Sequence, residues 1–383
     1  MWIGFRKRTC GSVAPLYKTV YSRRQCTFEI GNSFFSLDIT FCMKHGKVVC
    51  FGELLMRLHA PGGQRFTATR SFDILYTGSE ANVSALLSLL GQPVAFASKV
   101  PDNDFGTAAL RELQALKIDT ANVVRGGEKL GLYFTEGGTE IRPARVLYDR
   151  AHSSFANLAV GEIDWEALFD GAAWFHWSGI SAAVSQAAAA VCYEALCAAK
   201  KAGVKISADF NYRSTLWKWG KKPSDVMPEL LAFCDVMVCD LDAAAVYLGI
   251  KPAATGGKEA AFQDGVAQIR QRFPAVQTLA MSFRKSSETG TQEYSACLAH
   301  GNEHYFSNTA DLGTIIDRIG SGDAFTAGLI FGLLQDFEPG QLINFATACG
   351  ALKHTVPGDI ANISREEIDL FLKGQGRRGT IIR

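Results

Sequence analysis

The sequence predicts an α/β protein built on a mostly parallel sheet with crossover helices, carrying a small second sheet as a lid. Three observations predict it. From Lys47 onward, short β-rich runs alternate with helix-period runs, the pattern of successive βαβ units. Two stretches, 54–76 and 132–150, break that rhythm and read as extended, hairpin-forming pieces with glycine-rich turns. The chain has 383 residues, of which 48% are hydrophobic, enough to bury a large core.

Taken in order, residues 1–42 stand apart. Six basic residues, from Arg6 to Arg24, oppose only Glu29 and Asp38, and no helical or strand period persists. A non-native upstream extension is the preferred reading, ahead of a disordered tail and a basic, mitochondrial-type presequence. Met43, shortly before the apolar Val48-Val49-Cys50-Phe51, marks the expected start of the domain at 43–383. Strands are predicted at 48–51, 94–100, 173–178, 204–209, 235–239, 277–282, 294–299 and 304–307. Val83, Leu86, Leu87 and Leu90 recur at helical spacing, with Gly91 placed to cap the end. Phe325, Leu329 and Leu333 line a second helix; a third spans 341–354, and a last begins at Ser364 with Glu366 and Glu367 in its first turn.

Composition excludes several partners. Lys+Arg 39 against Asp+Glu 38 leaves no excess charge to attract nucleic acid or an anionic membrane surface. The longest uncharged run, 171–193, is interrupted by Ser, Gly, His and Gln and reads as a buried strand followed by an Ala-rich helix, not a membrane span. Ten cysteines are scattered without a CxxC pair; the closest, Cys192/Cys197 and Cys234/Cys239, lack a zinc spacing. Reduced thiols in a cytoplasmic protein are the expected state.

The chemistry concentrates in Asp317-Arg-Ile-Gly320-Ser321-Gly322-Asp323, just before an amphipathic helix. Glycines there let backbone N–H groups approach an anion, and the helix N-terminus adds positive charge. Phosphoryl transfer needs such a cradle, and Asp323 stands where a base would take a proton from an attacking hydroxyl. Taken alone, the same segment equally describes a glycine-rich turn with Asp323 as helix cap. No GxxxxGK[ST] and no GxGxxG after the first strand occurs, which argues against Walker-type and dinucleotide sites. Thr77-Gly78-Ser-Glu-Ala-Asn82 opens the first helix, with Gly78 able to admit a ligand and Asn82 to bond a hydroxyl; alone it also fits a capped helix start. Asp209-Phe-Asn211-Tyr212-Arg213 ends a buried strand, where α/β folds place ligands and an Arg can grip a carboxylate. Tyr133 and Tyr148-Asp149-Arg150 sit on the expected lid, placed to close over a small anion or to form a solvated hairpin.

Gly78…Asn82 early and Asp317…Gly320-Ser321-Gly322-Asp323 late resemble the two signatures of the ribokinase-like (PfkB-type) carbohydrate kinases. Within them, Phe51-Gly52-Glu53, Gly131-Leu132-Tyr133, Tyr148-Asp149-Arg150, Asp209-Phe-Asn211-Tyr212-Arg213 with Leu216-Trp217, and Leu352-Lys353-His354 with Pro357-Gly358-Asp359 resemble the branch acting on 2-keto-3-deoxygluconate. The resemblance implies a three-layer α/β/α sandwich with a β-sheet lid, and phosphorylation of that sugar acid at its terminal hydroxyl by ATP with Mg²⁺. It implies Asp323 as base and Gly320, Ser321, Gly322 and Asp323 as anion hole. Gly78, Asn82, Tyr133, Tyr148, Arg150 and Arg213 would contact substrate; Ser282, Arg284, Gly320, Gly322, Gly350 and Lys353 would surround ATP. Asp242 would keep an acidic role toward Mg²⁺, through water.

Two departures stand out: Arg318 where small or hydroxyl residues are usual, and Cys239 in place of an amide. They keep alternatives open, a kinase of fructose or another sugar, or a non-catalytic sugar-acid-binding protein. A lid sheet with exposed edges is also expected to favour a homodimer or larger homo-oligomer.

Overall fold

The computed structural model describes residues 21–30, 33–42, 46–139, 141–252, 257–286 and 292–374. The expected start at Met43 and residues 1–20 of the expected extension lie outside them. Two compact units meet at Gly46/Lys47 in the chain. In the first, strands β1 (Tyr21–Ile30) and β2 (Ser33–Cys42) pair antiparallel from Tyr21↔Cys42 to Ile30↔Ser33. A strand period was legible in β2 after all, where Leu37, Ile39 and Phe41 alternate with Ser36, Asp38 and Thr40.

The second unit begins with β3 (Lys47–Phe51), β4 (Leu55–Ala60), β5 (Asp73–Thr77), α1 (Ser79–Leu89) and β6 (Val94–Val100). It continues with α2 (Asp104–Ala115), β7 (Val123–Arg125), β8 (Gly131–Glu136), β9 (Arg145–Asp149), α3 (Trp165–Phe169) and β10 (Ala172–Ser178). Then come α4 (Gly179–Val184), α5 (Gln186–Lys201), β11 (Lys205–Asp209), α6 (Pro223–Leu231), β12 (Val236–Val238), α7 (Leu241–Leu248) and α8 (Gly257–Arg272). The last are β13 (Thr278–Ser286), β14 (Gln292–His300), β15 (Glu303–Phe306), β16 (Ala310–Asp311), α9 (Ser321–Leu334), α10 (Pro339–Lys353) and α11 (Arg365–Leu372).

The large sheet runs β15-β14-β13-β12-β11-β10-β3-β6-β7, with β16 beside β14. From β13 to β7 the pairings are parallel; β14, β15 and β16 add antiparallel ones. Its central strands β3, β6, β10, β11 and β12 are largely buried on both faces, as a sheet covered by helices on each side requires. In β3, Val49 and Phe51 join the core built with α3 and α5–α8, while Val48 and Cys50 join the core built with α1, α2 and α9–α11. Three layers result, as the sequence predicts.

The stretches 54–76 and 132–150 supply the second sheet, ordered β5-β4-β8-β9. Each is a hairpin-like antiparallel pair, and β4 joins β8 in parallel, from Leu55↔Gly131 to Ala60↔Glu136. That long-range pairing, unlike the hairpins, has no local sequence signal. The uncharged run splits at Ser185, whose hydroxyl accepts from Ala188 N at 3.0 Å and starts α5 afresh. No helix among the described residues is long and apolar enough to cross a membrane.

Candidate active site

A cleft of about 730 Å³ opens at the carboxyl ends of the parallel strands, under the lid sheet. This is the position at which open α/β sheets place ligands. Helix α9 enters it with Gly320 as N-cap, at φ 85, a left-handed conformation that glycine adopts without strain. A Cβ there would stand 1.9 Å from Asp359 O, so the turn also needs glycine for its close backbone approach. At Gly322 nothing lies within 4 Å of an added Cβ. The first-turn N–H groups of a helix have no intrahelical partner, and here that turn lines the cleft.

Asp323 lies in that first turn. Its Oδ1 accepts from Ser79 Oγ at 2.9 Å and its Oδ2 from Asn82 Nδ2 at 2.7 Å. Thr77 Oγ1 donates to Asn82 Oδ1 at 2.8 Å, which turns the Asn82 amide nitrogen toward the carboxylate. Asn211, held at φ 40, donates its amide to Ser79 Oγ at 2.8 Å. Burial pushes the Asp323 carboxyl up to about 6, although the bonds from Asn82 and Ser79 favour its charged form. Burial, then the charge of Asp323, pushes neighbouring Asp209 up to about 8. Both carboxyls are thus raised, Asp209 further than Asp323, so Asp209 holds a proton the more tightly of the two.

Behind this pair, buried Glu80 ties the start of α1 to the β10–α4 junction. Its Oε1 accepts from Ser178 N at 3.1 Å and from the hydroxyls of Ser178 and Ser181, both at 2.7 Å. A Cβ on Gly52 would lie 2.0 Å from Glu80 Oε2, which accounts for glycine after β3.

On the lid side, Tyr133 and Tyr148 approach at 6.1 Å between ring centroids and both line the cleft. Arg150 lines it too, but its Nε is paired at 2.6 Å with Glu53, and both side chains are buried. Its charge is thus already balanced. Arg213 differs: it is exposed, its Nη1 donates to Tyr212 O at 2.9 Å, and it has no ion pair among the described residues. Arg284 and Arg318 line the same cleft. Burial lowers the Arg284 pKa, and the charges of Arg318 and Arg213 lower it further. Three guanidinium groups close enough to repel one another form a place for a polyanion.

A buried network joins the second sheet to the turn before α9. Arg57, on β4, donates to Thr135 Oγ1 at 2.9 Å, bonds Asp359, and pairs with Asp317 Oδ2 at 2.9 Å. Tyr133 donates its hydroxyl to Asp359. Asp317 Oδ1 accepts from Ile319 N at 3.0 Å, fixing the loop before Gly320.

The structure brings Asp323, Gly320, Ser321, Gly322, Gly78, Asn82, Tyr133, Tyr148, Arg150, Arg213, Ser282 and Arg284 to one cleft. Three other expected residues are corrected. Gly350 packs under Tyr294, whose hydroxyl an added Cβ would meet at 2.5 Å. Lys353 is buried and turned inward, donating to Asp317 O and Val356 O. Asp242 is exposed outside the cleft lining, where Asp240, the N-cap of α7, stands instead. Cys239 lines the cleft as a neutral thiol, its pKa driven up by burial. Ser79, Arg57 and Glu80 carry the site with no role read for them from the sequence, and Asp359, expected only as the end of Pro357-Gly358-Asp359, joins them. A lone Arg57 within Leu54-Leu55-Met56-Arg57-Leu58 was the available signal for one of them.

A family model for pfkB family carbohydrate kinases matches residues 45–366. A 2-dehydro-3-deoxygalactonokinase of Haloferax volcanii is 30% identical over 330 residues, 86% of this chain and 97% of that protein. A 2-dehydro-3-deoxygluconokinase of Bacillus subtilis is 27% identical, over 85% of this chain and 95% of its own. The crystal structure of a 2-dehydro-3-deoxygluconokinase from Thermotoga maritima superposes with a TM-score of 0.81 at 35% identity, covering 86% of this chain and 99% of that one.

Proposed function

The chain belongs to the pfkB family of carbohydrate kinases, and from that premise we propose that it transfers the γ-phosphoryl group of ATP to the terminal hydroxyl of 2-keto-3-deoxygluconate. The products are 2-keto-3-deoxy-6-phosphogluconate and ADP. One observation carries the reading: the Asp323 carboxyl is held by Ser79 and Asn82 at a glycine-lined helix start, in a cleft where Arg213 has no carboxylate partner among the described residues.

Asp323 takes the proton of the C6 hydroxyl as that oxygen attacks the γ-phosphorus. First-turn N–H groups of α9 then stabilise charge on the moving phosphoryl group, whose bond to ADP breaks. Arg213 grips the substrate carboxylate, and Tyr133 and Tyr148 close over the sugar. Arg284 and Arg318 suit the remaining phosphates. Mg²⁺, which keeps several waters and rides on substrate phosphates, would need few protein ligands, with Asp240 among the carboxylates that line the cleft.

A second reading, the galactose-series epimer as substrate, is favoured by the 30% identity to the Haloferax volcanii enzyme. Both sugar acids, fructose and ribose, offered with MgATP and followed by ADP release, test the proposal. Faster turnover of a neutral sugar would overturn the sugar-acid assignment.

A further inference from the structure

We propose that Asn211 is a positioning residue for the base: its amide fixes the direction of the Ser79 hydroxyl, and that hydroxyl in turn aims one oxygen of Asp323. The inference rests on reading Asp323 as the base.

The chain of bonds runs in only one consistent direction. A carboxylate ready to take a proton can only accept, so Ser79 gives its single hydroxyl proton to Asp323 Oδ1, at 2.9 Å. Ser79 Oγ then has only lone pairs to offer Asn211, and it accepts from the amide nitrogen at 2.8 Å. A hydroxyl rotates to suit its partners, so without that amide Ser79 is free to swing its proton away from Asp323. Asn82 Nδ2 engages the other oxygen, Oδ2, at 2.7 Å. Each oxygen is thus bonded once by α1 and keeps lone pairs for a ligand in the cleft that Asp323 lines.

The backbone is arranged to deliver this amide. Asn211 stands at φ 40, in the left-handed region that few residues other than glycine adopt. Phe210, just before it, is buried; its N–H donates to Val238 O at 2.9 Å, and its carbonyl accepts from the Tyr247 hydroxyl at 2.9 Å. Asp209 Oδ1 accepts from Asn211 N at 3.1 Å. The turn leaving β11 is therefore held in an unfavourable conformation by its surroundings, as strained residues at functional sites are. Its result is a bond to Ser79, the first residue of α1, 132 residues earlier in the chain. Burial raises the Asp323 carboxyl, and the bonds from Asn82 and Ser79 oppose that rise. The charged groups within reach are Asp359, Arg213, Asp209 and Lys353, none of which the variants below alter.

A double-mutant cycle on Asn211→Gly and Ser79→Ala tests this. Glycine takes φ 40 without strain, so the turn is kept and the amide alone is lost. Each single variant should lower kcat about tenfold, with KM for the sugar acid within about twofold. The double variant should be no slower than Ser79→Ala alone, because Asn211 acts only through that hydroxyl. A residue serving only the turn would give additive losses instead. Carbon-13 NMR of the Asp323 carboxyl, assigned by its absence in Asp323→Asn, supplies a readout that needs no turnover. Ser79→Ala should raise its titration by about one unit, and Asn211→Gly should move it in the same direction by less. Should the protein phosphorylate no sugar acid, these titrations still decide the relay, so the two failures are separable. If Asn211→Gly does not fold, Asn211→Ala completes the same cycle. Additive losses, a higher KM with kcat unchanged, or an Asp323 titration unmoved by loss of the Asn211 amide would overturn the proposal.

Discussion

Asn82 and Asp323 stand 241 residues apart in sequence, yet the amide of one donates to Oδ2 of the other at 2.7 Å. Helices α1 and α9 thus present a single unit, a carboxylate aimed by an amide, and the aim matters because a base must face one proton. Asp323→Asn keeps the shape and removes the proposed base. Its kcat should fall about 10³-fold, in the range that general-base catalysis contributes. Its Tm should not fall, since burial disfavours the charge being removed. Activity within tenfold of wild type would mean that another group takes the proton.

The acid limb of the pH profile offers a sharper check. As the proposed base, Asp323 would act ionised, and its pKa is pushed up to about 6, so kcat/KM should drop as pH falls through about 6. The Asn82 bond favours the ionised form; Asn82→Ala therefore raises this pKa and moves the limb to higher pH, by about one unit. A limb that stays in place under Asn82→Ala would show that it reports some other group.

Arg213 and Arg150 looked alike in sequence, but the structure separates them. Arg150 is neutralised by Glu53, whereas Arg213 has no ion pair among the described residues. Arg213→Ala should raise KM for the sugar acid about 10- to 100-fold, the worth of a charge-assisted bond. KM for ATP should stay within about twofold. A rise confined to ATP would assign Arg213 to the phosphates, beside Arg284 and Arg318.

That contrast shows where sequence reading ends. The alternation of strands and helices, the glycines around Asp323 and the cap at Ser364 are local, and local patterns survive in one dimension. Gly320 is legible because its turn demands a left-handed residue. Whether Arg150 is free, or Lys353 faces ATP, depends on Glu53 and on Asp317 O, 97 and 36 residues away. The β4–β8 pairing likewise joins segments without any turn between them. Such partners are chosen by packing, not by spacing.

Glu80 offers a prediction about stability instead of turnover. It is a buried carboxyl with a pKa raised from 4.5 to about 7, chiefly by burial. A carboxyl whose pKa rises on folding holds its proton more tightly in the native state. Its contribution to stability is therefore greatest below about pH 4.5, declines as pH climbs to about 7, and is level above. Glutamine does not titrate, yet its carbonyl can still accept from Ser178 N, Ser178 Oγ and Ser181 Oγ. Glu80→Gln should therefore gain on the wild type by about 3 kcal/mol between those pH values. Urea unfolding at pH 5 and pH 8 measures the gap. Parallel stability curves for the two proteins would mean that Glu80 is ionised throughout, its charge balanced by the serine hydroxyls and the backbone N–H that surround it.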